Sequence, residues 1–296
     1  MAGTAGGPDS DPSLFTPGSS SFMELVAENR PELLSSRLLS GTRGDGPDRR
    51  AGQGGGGMDT SRIPHGTTIL ALTYADGVLI AGDRRATMGN VIAQRDMEKV
   101  YPADDHTAVA IAGTAGIAID MVKLYQVELT HFEKIEGTTM TLGAKATRLA
   151  HMIRQNLGQA IQGLAVVPLL AGYDLTAPEG ENGRIFSFDV TGGPYEAVGF
   201  HAEGSGSPYA RGALKKLYRP GMSRRQAALA ALQALYDAAD DDSATGGPDL
   251  YRRIFPIVSV ITADGYDRLS EAETAELSRE MIEQRERRPE GPVADL

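Results

Sequence analysis

The sequence predicts an α+β fold in which antiparallel sheets are stacked and covered by helices. Three observations carry this. Short β-rich runs joined by hairpin signals such as Asp76-Gly77 indicate antiparallel pairing. Helical segments come in pairs between blocks of strands, which suits helix layers over two stacked sheets. Regular patterning starts abruptly near residue 66, after a stretch with a different composition.

Residues 1–66 hold 13 of the 36 glycines, including the run Gly54 to Gly57, with many Ser, Pro and Asp. Such a stretch buries too little apolar surface to offset its ordering entropy, so it is expected to be largely disordered. The exceptions are the apolar pieces Phe22-Met23-Glu24-Leu25-Val26, Leu33-Leu34 and Leu38-Leu39, interrupted at Pro31. They fit either a flexible tail or a removable pro-segment that docks transiently.

From Thr67 onward the elements follow in order. Residues 67–74 and 78–83 are strands flanking the Asp76-Gly77 turn, and 91–101 and 107–112 read as further strands. Residues 117–132 are helical, because Ala118, Val122, Tyr125, Leu129 and Phe132 fall on one face. A second helix is expected over 143–163. Strands follow at 167–173, 184–189 and 195–200, then helices at 208–218 and 223–240, the latter alanine-rich with Ser223 as N-cap. Residues 255–262 form a buried-type strand. The last helix begins at Ser270, where Ser270 and Glu273 have capping-box spacing. The charged, Pro/Gly-containing end is expected to fray from about 284.

Composition narrows the function. The chain of 296 residues carries a formal charge of −10, with 29 basic against 39 acidic side chains. That balance argues against nucleic acid or an anionic membrane as partner, since phosphates demand a Lys/Arg excess. Cysteine is absent, which removes disulfides, thiolate metal sites and a cysteine nucleophile, and fits a reducing cytoplasm. No apolar run is long enough to span a membrane, and the first residues lack the basic start and apolar stretch of a secretory signal. The five histidines show no metalloprotease spacing, and no metal or cofactor is expected. Gly204-Ser205-Gly206-Ser207 lacks the flanks of a nucleotide loop and reads as a tight turn. Gly113-Thr114-Ala115-Gly116, between a strand and a helix, is either a plain turn or an oxyanion site at a helix N-terminus.

The chemistry concentrates at the junction His65-Gly66-Thr67-Thr68. Cleavage between Gly66 and Thr67 would give Thr67 a hydroxyl and a free α-amine on one residue. An α-amine titrates near ~7.7–8.0, so it can serve as general base to its own hydroxyl. Without that cut, Thr67 is merely the first residue of a strand. Asp83 closes the second strand, and Lys99 stands in an otherwise strand-like run. A lysine beside the nucleophile would depress its pKa, and an aspartate would hold that lysine charged. Alone, each reads as a surface charge; with the junction they form a constellation.

These residues lie in six ordered blocks: His65-Gly-Thr-Thr-Ile-Leu-Ala-Leu, Gly77-Val-Leu-Ile-Ala-Gly-Asp-Arg-Arg-Ala-Thr87, Glu98-Lys99-Val-Tyr, Ile111-Ala-Gly-Thr-Ala-Gly116, Gly204-Ser-Gly-Ser-Pro-Tyr-Ala-Arg-Gly212 and Asp241-Asp242-Ser-Ala-Thr-Gly-Gly247. In them the chain resembles the 20S proteasome β subunits of actinobacterial type. The resemblance covers residues 65–290 and implies the four-layer αββα N-terminal-nucleophile hydrolase fold. It divides the chain into a removable pro-segment, 1–66, and a catalytic domain, 67–296.

The resemblance implies a threonine endopeptidase activated by autocatalytic cleavage between Gly66 and Thr67. Thr67 would be the nucleophile, Asp83 and Lys99 its charged partners, and Gly113 N–H an oxyanion donor. Ser205 and Asp242 match positions that hydrogen-bond near the α-amine. Thr245 stands where many members carry Ser and keeps the hydroxyl. Arg85 and Thr87 would flank the substrate strand, with Thr87 binding it by strand addition. Ala86, Met97, Ile111 and Ala115, with Ile119 beside them, would line an apolar pocket that favours cutting after hydrophobic residues.

The implied partners are α subunits, identical β subunits in seven-membered rings of a twenty-eight-subunit barrel, a ring-shaped ATPase, and unfolded proteins, some tagged by a ubiquitin-like protein. The alternatives are a non-catalytic structural β-type subunit, a simpler two-ring bacterial protease of the same nucleophile class, and a plain binding module.

Overall fold

A computed structural model describes residues 66–291. Residues 1–65 of the expected pro-segment, with its apolar pieces, and residues 292–296 of the expected tail lie outside the described residues. Residues 66–160 and 164–291 form one compact unit.

The strands are β1 (Thr68–Tyr74), β2 (Gly77–Gly82), β3 (Ala86–Met88), β4 (Val91–Gln94), β5 (Val100–Asp104), β6 (Thr107–Gly113), β7 (Val166–Tyr173), β8 (Gly183–Phe188), β9 (Pro194–Ala197), β10 (Phe200–Gly204), β11 (Ile257–Thr262) and β12 (Gly265–Arg268). The helices are α1 (Ala115–Glu136), α2 (Leu142–Gln155), the single turn α3 (Leu157–Ala160), α4 (Ser207–Leu217), α5 (Arg224–Asp241) and α6 (Glu271–Arg287). One five-stranded sheet has the order β10-β1-β2-β11-β12, and a second has the order β5-β6-β7-β8-β9. Strands β3 and β4 form a separate hairpin, and every pairing is antiparallel.

Strand parity builds the layers. On β1, Ile69 and Ala71 point one way and Leu70 and Leu72 the other. The first pair joins Val78 and Ile80 in a core with Ala108, Ala110, Leu169 and Ile185 of the second sheet. The second pair packs with Leu79 and Ala81 against Leu214 of α4 and Ala231 and Leu235 of α5. The second sheet turns Val109, Ile111 and Leu170 outward onto Val122 and Tyr125 of α1 and Leu149 and Ile153 of α2. The result is the expected αββα order. Burial on both faces explains why β1 and β2 read as continuous apolar runs. The small side chains of α5, with Ala227, Ala228, Ala231, Ala234 and Ala238 all buried, let that helix lie close to its sheet.

Four expectations are corrected. The run 91–101 is two strands: β4 stays in the hairpin with β3, and the chain crosses through 95–99 before β5 enters the second sheet. The run 195–200 also divides, with β9 at the edge of one sheet and β10 at the edge of the other. The change of sheet happens at Val198-Gly199, where an exposed valine disguises the turn as a strand. The helix expected over 143–163 ends at Gln155, where the Asn156 side chain takes the Met152 carbonyl, and residues 161–163 form a turn. The C-terminal helix runs to Arg287, past the expected start of fraying, because buried Arg285 donates to Gln233 on α5 at 2.8 Å.

Candidate active site

Six chain segments meet at one end of the sandwich: the entry to β1, the exits of β2 and β6, the entry to β5, the β10–α4 turn and the loop after α5. They bring together Thr67, Asp83, Lys99, Gly113, Ser205, Asp242 and Thr245.

Asp83, wholly buried, follows directly on β2. Its Oδ1 accepts from Thr68 N–H at 2.8 Å and Lys99 Nζ at 2.6 Å. Its Oδ2 accepts from Arg85 N–H at 2.8 Å and Gly246 N–H at 2.9 Å. Four donors on one carboxylate compensate the cost of burying the charge. The carboxylate thus ties β1, the entry to β5 and the loop after α5 together.

Lys99 uses its three donors fully: Asp83 Oδ1, the Arg85 carbonyl at 2.5 Å and the Gly66 carbonyl at 3.2 Å. Burial pulls its pKa below the ordinary lysine value, against the opposing pull of Asp83. A lysine of lowered pKa can give up and regain a proton, which suits a group that tunes a neighbouring hydroxyl.

The Gly66 carbonyl also accepts from Thr67 Oγ1 at 2.5 Å. The threonine hydroxyl and the lysine ammonium therefore converge on one carbonyl, that of the Gly66–Thr67 bond. Gly66 has φ +100°, and a Cβ there would lie 2.5 Å from Thr87 Oγ1 and 2.7 Å from Ala244 Cβ. Only glycine fits that conformation and that space. Gly113 is constrained in the same way: φ is +106°, and a Cβ would meet the Ala165 carbonyl at 2.2 Å.

On the other side of Thr67, Ser205 Oγ receives Thr67 N–H at 3.4 Å and donates to Asp242 Oδ2 at 2.6 Å. Thr245 Oγ1 donates to the same oxygen at 2.6 Å. Asp242 is the C-cap of α5, and its Oδ1 takes Ala244 N–H at 3.1 Å, folding the loop back on the helix end.

Beside Thr67 lies a small recess with room for about 10 Å³, lined by Ala86, Met97, Ile111 and Ala115, all named from the sequence, and by Gly66, Thr67, Ala112, Gly113 and Ala118. Ile119 is absent from its wall and packs instead with the α1–α2 core. The Arg85 guanidinium reaches the Ser243 carbonyl at 3.0 Å, so this side chain steadies the loop carrying Asp242 and Thr245. Thr87 sits buried on β3 against Gly66. Among the described residues no group of His, Asp or Glu could hold a metal ion, and no helix is long and apolar enough to cross a membrane.

Two participants escaped the sequence reading. Gly246 acts through its backbone N–H, which leaves no side-chain signal. Thr68 is wholly buried, and its hydroxyl contacts Thr245 Oγ1 at 2.6 Å. The only sign of it was a second threonine directly after the nucleophile.

A family model described as "Proteasome: Proteasome subunit" matches residues 63–249. The chain belongs to the proteasome β subunit family. It is 74% identical to "Proteasome subunit beta 1" of Streptomyces avermitilis over 284 residues, 95% of each chain. It is 55% identical to "Proteasome subunit beta" of Streptomyces griseus over 282 residues, 95% of this chain and 94% of that one. Another relative, "Proteasome subunit beta 2" of Thermomonospora curvata, is 54% identical over 282 residues, 95% of each. The αββα order is that of the family, and the actinobacterial relatives cover the N-terminal segment as well as the sandwich.

Proposed function

We propose that the chain is a catalytic proteasome β subunit, a threonine endopeptidase that activates itself by cutting between Gly66 and Thr67. The observation that carries this is the convergence of Thr67 Oγ1 and Lys99 Nζ on the Gly66 carbonyl oxygen, at 2.5 and 3.2 Å.

In the precursor, Thr67 Oγ attacks the Gly66 carbonyl carbon while Lys99 stabilises the charge developing on its oxygen. The C–N bond breaks as the hydroxyl proton passes to the leaving nitrogen, the acyl group moves from nitrogen to oxygen, and water hydrolyses the ester to leave Thr67 with a free amine and its hydroxyl restored. In the mature enzyme that amine, through a water, takes the Oγ proton as the hydroxyl attacks a substrate carbonyl. Gly113 N–H would hold the oxyanion, a contribution of ~10²–10³ in rate for such a donor. Water releases the acyl-enzyme and returns the proton. The apolar recess favours hydrophobic side chains before the cut.

The names of the relatives support assembly with other proteasome subunits. The family resemblance extends this reading to rings with α subunits in the cytoplasm, fed by a separate ATPase that unfolds substrates, some carrying a ubiquitin-like tag. The test is the N-terminal sequence and intact mass of the chain after co-expression with its α subunit. A new N-terminus at Thr67, absent in Thr67→Ala, supports the enzyme. An uncut chain in a fully assembled ring makes it a structural subunit.

A further inference from the structure

We propose that Thr68, the residue after the nucleophile, is a positioning residue that, by donating to Thr245, tunes the hydrogen-bond network through which Asp242 and Ser205 hold the Thr67 nitrogen. The inference rests on the reading of Thr67 as an N-terminal nucleophile and goes one step beyond it.

Proton counting fixes the chain. Thr245 has one hydroxyl proton, and it goes to Asp242 Oδ2 at 2.6 Å. Thr245 Oγ1 must therefore accept in its 2.6 Å contact with Thr68 Oγ1, which makes Thr68 the donor. Thr68 Oγ1 in turn accepts Gly206 N–H at 3.1 Å. The order is Gly206 N–H to Thr68 to Thr245 to Asp242. From the other side, Ser205 gives its proton to the same Asp242 oxygen at 2.6 Å, a shorter contact than the 3.3 Å to the Thr67 carbonyl. Its lone pair is left for Thr67 N–H at 3.4 Å. After cleavage the amine donates to Ser205 and keeps its own lone pair for the Thr67 hydroxyl.

Two hydroxyls thus share Asp242 Oδ2, and Thr68 strengthens one of them, since donors along a chain polarise one another. Without the Thr68 proton, Thr245 neutralises Asp242 less. More negative charge then reaches Ser205 and the amine, and the ammonium form gains. The amine pKa rises, so the neutral base appears only at higher pH. The other ionisable groups on the elements around the amine are Asp83 after β2, Lys99 before β5, Arg85 on the crossing to β3, and His201 and Glu203, 2.8 Å apart on β10, which pairs with β1. None of them touches the Thr68 hydroxyl.

The experiment measures kcat/KM against pH for the assembled, processed particle, using one fluorogenic peptide. The variants are Thr68→Val, which keeps the shape and loses the hydroxyl, and Thr68→Ser, which keeps the hydroxyl. Thr68→Val should move the acid limb to higher pH by about 0.5–1 unit, less than the roughly 1–3 units that a directly neighbouring charge produces. Activity should fall about 3–10-fold at the low-pH end and recover toward the wild-type value above the limb. Thr68→Ser should restore the wild-type limb. If Thr68→Val does not assemble, Thr68→Ala and Thr68→Ser give the same comparison, differing only by the hydroxyl. Superimposable profiles with and without the hydroxyl overturn the inference, as does a uniform loss of activity with no shift. Thr67→Ala run beside them separates the two readings: activity retained there sinks the nucleophile itself, whereas its loss with an unmoved Thr68 profile sinks only the role of Thr68.

Discussion

Lys99 Nζ lies 2.6 Å from Asp83 Oδ1 with both side chains shielded from solvent, and Asp83 pulls the buried lysine toward its charged form against the cost of burial. Asp83→Asn tests this. The asparagine amide would turn an N–H₂ toward either Arg85 and Gly246 N–H or Thr68 N–H and Lys99, donor against donor. Breaking such a buried pair costs about 3–5 kcal/mol. The pH effect has a definite sign. Burial already lowers the Lys99 pKa and Asp83 opposes that, so losing Asp83 lowers it further. The Gly66 carbonyl then keeps its charged donor only at lower pH. Asp83→Asn precursor should assemble poorly, and what assembles should process slowly, best at a pH below the wild-type optimum. Mass spectrometry of the chain over a pH series reads this; an unchanged optimum would count against it.

The recess beside Thr67 sets a specificity prediction. Its named side chains are apolar, so burying a charged group there goes uncompensated. Reporter peptides with a large apolar residue before the cut should be turned over at least ~10-fold faster than matched Arg or Asp peptides, the scale of a few kcal/mol in a pocket. Met97→Ala should widen the recess and raise the ratio of aromatic to aliphatic turnover. Equal rates across the panel would remove the recess from the substrate path.

Legibility followed the side chains. The β1 and β2 runs were readable because burial on both faces leaves no polar alternation to misread. Asp83 and Lys99 were readable because a charge inside a strand-like run needs a reason. The sheet change at Val198-Gly199 was hidden, since an exposed valine carries strand propensity into a turn. The pattern around Lys99 predicts a strand, yet the residue ends the crossing at 95–99, and its ammonium reaches Asp83 just past β2. Ser205, Asp242 and Thr245 are far from Thr67 in sequence and came only with the family resemblance. Gly246 contributes an N–H that every residue but proline has.

Local helix signals give a stability prediction. Ser223 forms the complete capping box: its Oγ accepts Gln226 N–H, and the Gln226 side chain accepts Ser223 N–H at 2.9 Å. Ser270, expected from spacing to form the box, is an N-cap whose Oγ accepts Glu273 N–H at 3.2 Å. Ser223→Ala should cost about 1 kcal/mol. Thermal unfolding of the full chain should fall by about 2–4 °C, the scale for a chain of this size. No change would mean that the first turn of α5 is held by packing alone.

Gly66→Ala isolates self-cleavage from peptidase activity. An alanine Cβ at this position would sit 2.5 Å from Thr87 Oγ1 and 2.7 Å from Ala244 Cβ, and φ +100° is strained for any side chain. The residue must leave this conformation, taking its carbonyl away from Thr67 Oγ1 and Lys99 Nζ, which now lie 2.5 and 3.2 Å from the oxygen. Strain of about 1–3 kcal/mol and lost alignment together should slow processing by about 10²-fold or more. Residue 66 leaves with the pro-segment, so any particle that does mature should have wild-type kcat/KM per free Thr67 N-terminus. Processing at the wild-type rate would show that the tight fit around Gly66 is irrelevant to the cut. A lowered kcat/KM in matured particles would place the defect in the assembled site rather than in the cleavage step.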